Sequence, residues 1–150
     1  MGYHHILLVV HLLAAAIWVG GHLLLLIAYV PKAIRDRDKY VILNFEGRYE
    51  RLGMSALVVL IASGIAMAIN YGVMPGQWFH FSTATERIVS VKLTLLIITF
   101  LFALSAQLRV IPKVKAGSDR LGLLLFHITA VTILGVLMLF FGTFIRFGGL

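Results

Sequence analysis

The sequence predicts an all-α membrane protein, a four-transmembrane-helix antiparallel bundle with both termini outside. Three observations carry that prediction. Hydrophobic residues fill 61% of the 150 positions and charged residues 13%, where a soluble domain carries about 25% charged. The apolar residues fall into four long runs, and mean hydropathy is +1.00. The basic residues gather in two of the three connections between those runs. A soluble domain of this size has too little interior to hide so much apolar surface. An ordinary soluble enzyme, a disordered tail and a disulfide scaffold are thereby excluded. With no Cys, thiolate metal sites, iron–sulfur clusters and cysteine nucleophiles are excluded as well.

The runs make one domain, 1–150, with spans at about 6–30, 52–71, 87–110 and 121–145, each near the ~20 residues a bilayer crossing needs. The first span holds no Asp, Glu, Lys or Arg. It reads as a retained span and not a signal peptide, since it is too long and no basic residue precedes it. Pro31 and the charged run from Lys32 to Lys39 end it, and the polar stretch 32–51 prolongs the flanking helices beyond the membrane. The stretch 71–81, with Gly, Pro and aromatics, reads as a loop at the outer interface. Thr83-Ala-Thr-Glu86 is a capping-box pattern at the head of the third helix. No strong internal repeat and no low-complexity segment stands out.

Charge sets the expected orientation. Ten Lys/Arg lie in the first and third connections: Lys32, Arg35, Arg37, Lys39, Arg48, Arg51, Arg109, Lys113, Lys115 and Arg120. Three lie on the other side: Arg87, Lys92 and Arg146. The positive-inside rule places the basic connections in the cytoplasm and both chain ends in the periplasm of a bacterial inner membrane. The net charge of +7 is then mostly topology, with anionic lipid headgroups as its partner and no nucleic acid.

The first helix carries the chemistry. At about 100° per residue, His4, His11, Trp18, His22 and Tyr29 fall on one stripe. An ionisable side chain inside a membrane is a functional-site hypothesis. His11 and His22 are separated by roughly 16 Å of helical rise, too far to share one metal ion. Counting residues from the helix ends pairs His11 with Lys92 in an outer layer and His22 with His127 in an inner one, with His80 in reach of the outer. A haem iron takes axial imidazoles, and a bundle holds such a ring between facing helices. Small residues (Gly20, Gly21, Gly53, Ala62, Ser63, Gly64, Ala66, Ala68) leave room for it, or serve close helix packing. Arg48, Arg51 and Arg109 are candidate propionate partners. Copper is the rival ligand for imidazole, although soft Cu(I) favours Cys and Met.

His11-Leu-Leu-Ala-Ala-Ala-Ile-Trp18-Val-Gly-Gly21 resembles the opening helix of the copper resistance D (CopD-like) membrane family. Phe45-Glu-Gly-Arg48-Tyr-Glu-Arg51-Leu resembles its second helix, and Val91-Lys92-Leu-Thr-Leu-Leu with Gln107-Leu-Arg109 its third. The same skeleton is similar to HemJ-type protoporphyrinogen oxidases, which look like four-helix haem b proteins. That resemblance implies haem binding at His11 and Lys92. His22 and His127 depart from the HemJ pattern and favour a second, bis-His haem, by analogy with di-haem cytochromes b.

The expected function is therefore a haem b protein with one or two haems, transferring electrons to quinone or a periplasmic redox protein. Its expected site residues are His11, His22, Lys92, His127, Arg48, Arg51 and Trp18, with metal bound at His11, His22 and His127. The alternatives are a HemJ-type protoporphyrinogen oxidase and a CopD-like copper transport or resistance protein with copper as its ligand. Whether the chain is an enzyme stays open at this point, and a homodimer is a further expectation from the Gly-rich faces.

Overall fold

The computed structural model describes residues 2–118 and 120–144. Met1, Asp119 and 145–150 lie outside the described residues, among them Ile145 of the expected fourth span and Arg146 of the charge count. Four helices are long and apolar enough to cross a membrane: α1 (Tyr3–Asp36), α2 (Tyr40–Asn70), α3 (Ala84–Lys115) and α4 (Leu121–Phe144). No strand occurs among the described residues. The outer surface is apolar: Ile27 and Leu108 are 70% and 68% exposed. Such a surface is stable against lipid and costly against water. The chain is a multi-pass membrane protein.

The helices run on beyond the apolar spans, as expected for the stretch 32–51: α1 continues through Pro31 to Asp36 and α3 through Pro112 to Lys115. A proline lacks the N–H of an ordinary α-turn, and its ring crowds the carbonyl four residues before it. Each proline is preceded by one wider π-helical turn, Leu25–Tyr29 in α1 and Ala106–Val110 in α3. Val30 N–H reaches back to Leu25 O, and Ile111 N–H to Ala106 O. The wider turn shifts the hydrogen-bond ladder and carries the helix past the proline. Arg37 ends α1 with a left-handed conformation, φ 50°, and Gly117 follows α3 with φ 96°.

These paired features reveal a shared plan for α1–α2 and α3–α4, where the sequence pattern shows no strong repeat. α1 packs along α2, α3 along α4, and α1 against α4. α2 and α3, consecutive in the chain, approach each other less closely and meet through side chains, with Ala68 and Val89 in one small core and Gln107 bonded to Glu46. Toward the basic end an apolar core draws on all four helices, including Leu25, Ile42, Val110 and Leu124. There Lys39 Nζ donates to Val114 O at 2.9 Å and ties one basic turn to the other. Mid-bundle, Trp18, Val19, Ala56, Leu57 and Val131 form a second core.

The loop before α3 is built on Glu86. Its carboxylate accepts from Ser82 N at 3.0 Å, Thr83 N at 3.3 Å and Gln77 Nε2 at 3.3 Å. Thr83 Oγ1 accepts from Glu86 N, so the expected capping box is present. Glu86 is buried, and Glu86→Ala leaves these donors unpaired at about 1–3 kcal/mol. Faster hydrogen exchange over 71–83, with unchanged exchange in α1, is the expected result. Unchanged exchange in the loop contradicts it.

Candidate functional site

Three imidazoles lie inside the bundle, and their hydrogen bonds set one protonation pattern. His22 Nδ1 is 2.8 Å from Trp18 O, and His127 Nδ1 is 2.8 Å from Leu123 O. A carbonyl only accepts, so each Nδ1 carries the proton. His11 Nδ1 is 2.8 Å from Ser63 Oγ. That hydroxyl donates its single proton to a carbonyl of its own helix, so His11 also donates from Nδ1. Each ring is left with an acceptor lone pair at Nε2, the atom a metal ion or proton would take. Nε2 of His127 faces Ser105 Oγ at 3.2 Å. Nε2 of His22 has no hydrogen-bond partner among the described residues.

His22 and His127 line one cavity of about 70 Å³, together with Trp18, Glu46, Tyr49 and Gln107. The two imidazoles are not level. Thr132 Oγ1 lies 3.4 Å from His22 O, which places His22 beside Thr132. His127 is then about 7.5 Å nearer the basic end at 1.5 Å per residue. Each ring leans toward the start of its own helix, and α1 and α4 run in opposite directions, so the rings diverge further. The equal depth expected from the sequence came from ending α1 at Pro31. The helix continues to Asp36 and shifts the count.

Tyr49 shapes the middle of the cavity. Its hydroxyl donates to Ile17 O at 2.7 Å and lies 3.2 Å from Trp18 O. Its ring stands edge-on to His22 with centroids 6.1 Å apart. A Cβ on Gly21 or Gly53 would run into that ring. Those two glycines thus accommodate a tyrosine of the same bundle, where the sequence reading offers them a flat ligand. Trp18 is buried with its ring 4.6 Å from that of His22.

Toward the other end, His11 rests against Ser63 and Gly64. Lys92 Nζ lies close to Gly142 of α4. His80 is exposed on the loop, and His4 Nε2 lies 3.3 Å from the Tyr71 hydroxyl near the helix ends. Arg48, Arg51 and Arg109 are exposed and do not line the cavity. Glu46 and Gln107, which the sequence reading passed over, bridge α2 and α3 through Gln107 Nε2 to Glu46 Oε1 at 2.9 Å. Glu46 looks unremarkable in sequence because it sits in a polar stretch assigned to the region beyond the membrane.

The cavity fits an ion or a water better than a large ring. Pockets for drug-sized ligands run about 300–1,000 Å³. A porphyrin held by His22 and His127 needs both rings at one height, and they stand at different heights. Among the described residues, no three of His, Cys, Asp and Glu are grouped to hold a metal ion together.

Fold and site define a four-span membrane protein with imidazoles, a lysine and a carboxylate turned into its bundle. The chain belongs to the CopD family: the family Copper resistance protein D matches over residues 43–145. The match takes in Glu46, Tyr49, Lys92 and His127, while His11, Trp18 and His22 precede it. No curated protein and no solved structure shows significant similarity to the chain.

Proposed function

We propose that this protein binds copper ions inside the bacterial inner membrane and passes them along its bundle. The observation that carries the reading is the shared Nδ1–H pattern of His22 and His127 at one ion-sized cavity. Imidazole suits copper, and a ring fixed by its other N–H is the arrangement seen in metal-ligating histidines. Single imidazoles at successive heights hold an ion weakly enough to release it, which is what transfer requires and tight storage does not. Membership of a family named for copper resistance supports the same reading. The charge distribution favours basic turns in the cytoplasm and both chain ends in the periplasm.

A haem and electron-transfer role has less support. The cavity volume and the staggered rings oppose it. One preparation separates the two readings. Protein purified from copper-supplemented, haem-replete membranes is expected to carry copper near one ion per chain and no haemochrome. A coloured protein with a pyridine haemochrome and no copper overturns the proposal.

A further inference from the structure

The two halves of the bundle keep one register. Pro31 and Pro112 are 81 positions apart (31 to 112), and the same offset relates much else. It carries the π turn Leu25–Tyr29 onto Ala106–Val110. It carries Val30-Pro31-Lys32 onto Ile111-Pro112-Lys113, and Tyr40, the first residue of α2, onto Leu121, the first of α4. It carries Ala33 onto Val114, both wholly buried, and Ile27 onto Leu108, both strongly exposed. A register that preserves helix starts, helix defects, buried positions and exposed positions describes two copies of one helical hairpin. Both copies have their turn at the basic end, so the relation is a parallel repeat about an axis along the membrane normal.

The cavity sits on that relation. Leu25 and Ala106 line it as a related pair, as do Leu43 and Leu124. His22 and Ala103, and Glu50 and Val131, are related in the same way, and Glu46 and His127 are the pair in which both side chains can ligate a metal ion. Each of these two lies the same distance from the start of its helix, so the carboxylate and the imidazole occupy equivalent places in the two halves. His22 has no such counterpart, because its equivalent is Ala103. Gln107 holds one carboxylate oxygen of Glu46, as Ser105 holds Nε2 of His127. No hydrogen bond is found to the other oxygen, Glu46 Oε2, among the described residues.

We infer that Glu46 is the working counterpart of His127: the carboxylate through which a copper ion reaches or leaves the imidazoles from the basic end. The inference rests on the copper reading above and adds the residue that governs access. Glu46 lies nearer the basic end than His22, on the wall of the same cavity, where Gln107 of α3 meets it. A negative charge at the mouth of a low-dielectric cavity focuses a cation toward it and raises its capture rate, by about tenfold or more. Glu46 and His127 line one cavity, and no three of His, Cys, Asp and Glu are grouped to hold a metal ion among the described residues, so the carboxylate acts in passage, as a positioning residue and not as part of a closed cage.

The test uses the full-length protein in detergent, loaded anaerobically with Cu(I) alone and challenged with a colorimetric Cu(I) chelator. Glu46→Gln keeps the shape and a hydrogen-bonding partner for Gln107 but removes the charge. It is expected to slow both loading and release by roughly tenfold while copper per chain at saturation stays at the wild-type value. Glu46→Asp restores most of the rate, and Glu46→His, which copies the residue of the other half, retains bound copper. A merely structural role moves stoichiometry and thermal stability together and leaves the rate at saturation alone. Wild-type rates in Glu46→Gln, with a copper-loaded wild type, overturn this inference and leave the copper reading standing. A wild type that takes up no copper overturns both.

Discussion

His127→Ala is expected to lower copper retention far more than any neutral change around the cavity. The substitution deletes the Nε2 lone pair and leaves the Leu123 carbonyl within its own helix, so the bundle keeps its packing partners apart from one ring. His22→Ala deletes the second holding point and has the same direction. Ser105→Ala works the other way. In the structure the Ser105 hydroxyl donates to His127 Nε2 and competes with a metal ion for that lone pair. Losing one such bond frees about 1 kcal/mol, so copper affinity at His127 is expected to rise about fivefold. Equilibrium competition with a chelator of known affinity measures all three variants. Opposite signs for Ser105→Ala and His127→Ala tie the effect to that nitrogen atom. Equal losses in both would mean that the variants disturb the fold and would remove His127 as a ligand.

A large stability loss is expected at a residue without a side chain. A Cβ at Gly21 overlaps the ring of Tyr49, which Gly53 confines on its other side. The ring also stacks on Phe45, with centroids 5.4 Å apart, and its hydroxyl is fixed by the Ile17 carbonyl. Gly21→Ala therefore has to push the ring out of its slot. The expected cost is about 1–3 kcal/mol, as for other overpacked interiors. Tyr49→Phe keeps the ring and loses only the hydroxyl bond, so it costs less, about 0.5–1.5 kcal/mol. In a Tyr49→Ala background the slot is empty and Gly21→Ala becomes close to neutral. Unfolding of the four variants in mixed detergent completes the double-mutant cycle. Additive losses would show that Gly21 is needed for some reason other than Tyr49.

The two sets of variants also separate holding from positioning. Tyr49 stands edge-on to His22 while bonding to the carbonyls of the turn that carries it. Dislodging Tyr49 releases the wall beside His22, so Gly21→Ala touches both stability and the site. Ser105→Ala leaves that wall alone. Comparing them tells how much of the site's behaviour depends on the slot between α1 and α2.

The four spans, the capping box at Thr83 and Glu86, and the interior stripe holding His11 and His22 were all legible from residue order. Each depends on local properties: apolar run length, a pair of polar side chains three residues apart, and the angular step of a helix. Tertiary structure decided how high each imidazole stands and which partner it meets. Pro31 marks the end of the first apolar span in sequence, yet a π turn carries the helix past it, as another does at Pro112, and the depths counted from the span ends shift. Glu46 and Tyr49 enter the cavity for the same reason, since α2 is one helix from Tyr40 to Asn70 with no boundary at the membrane edge. The repeat stayed hidden because few identical residues mark it. What the halves share is the placement of burial, exposure and helix defects, and those exist only once the helices have packed.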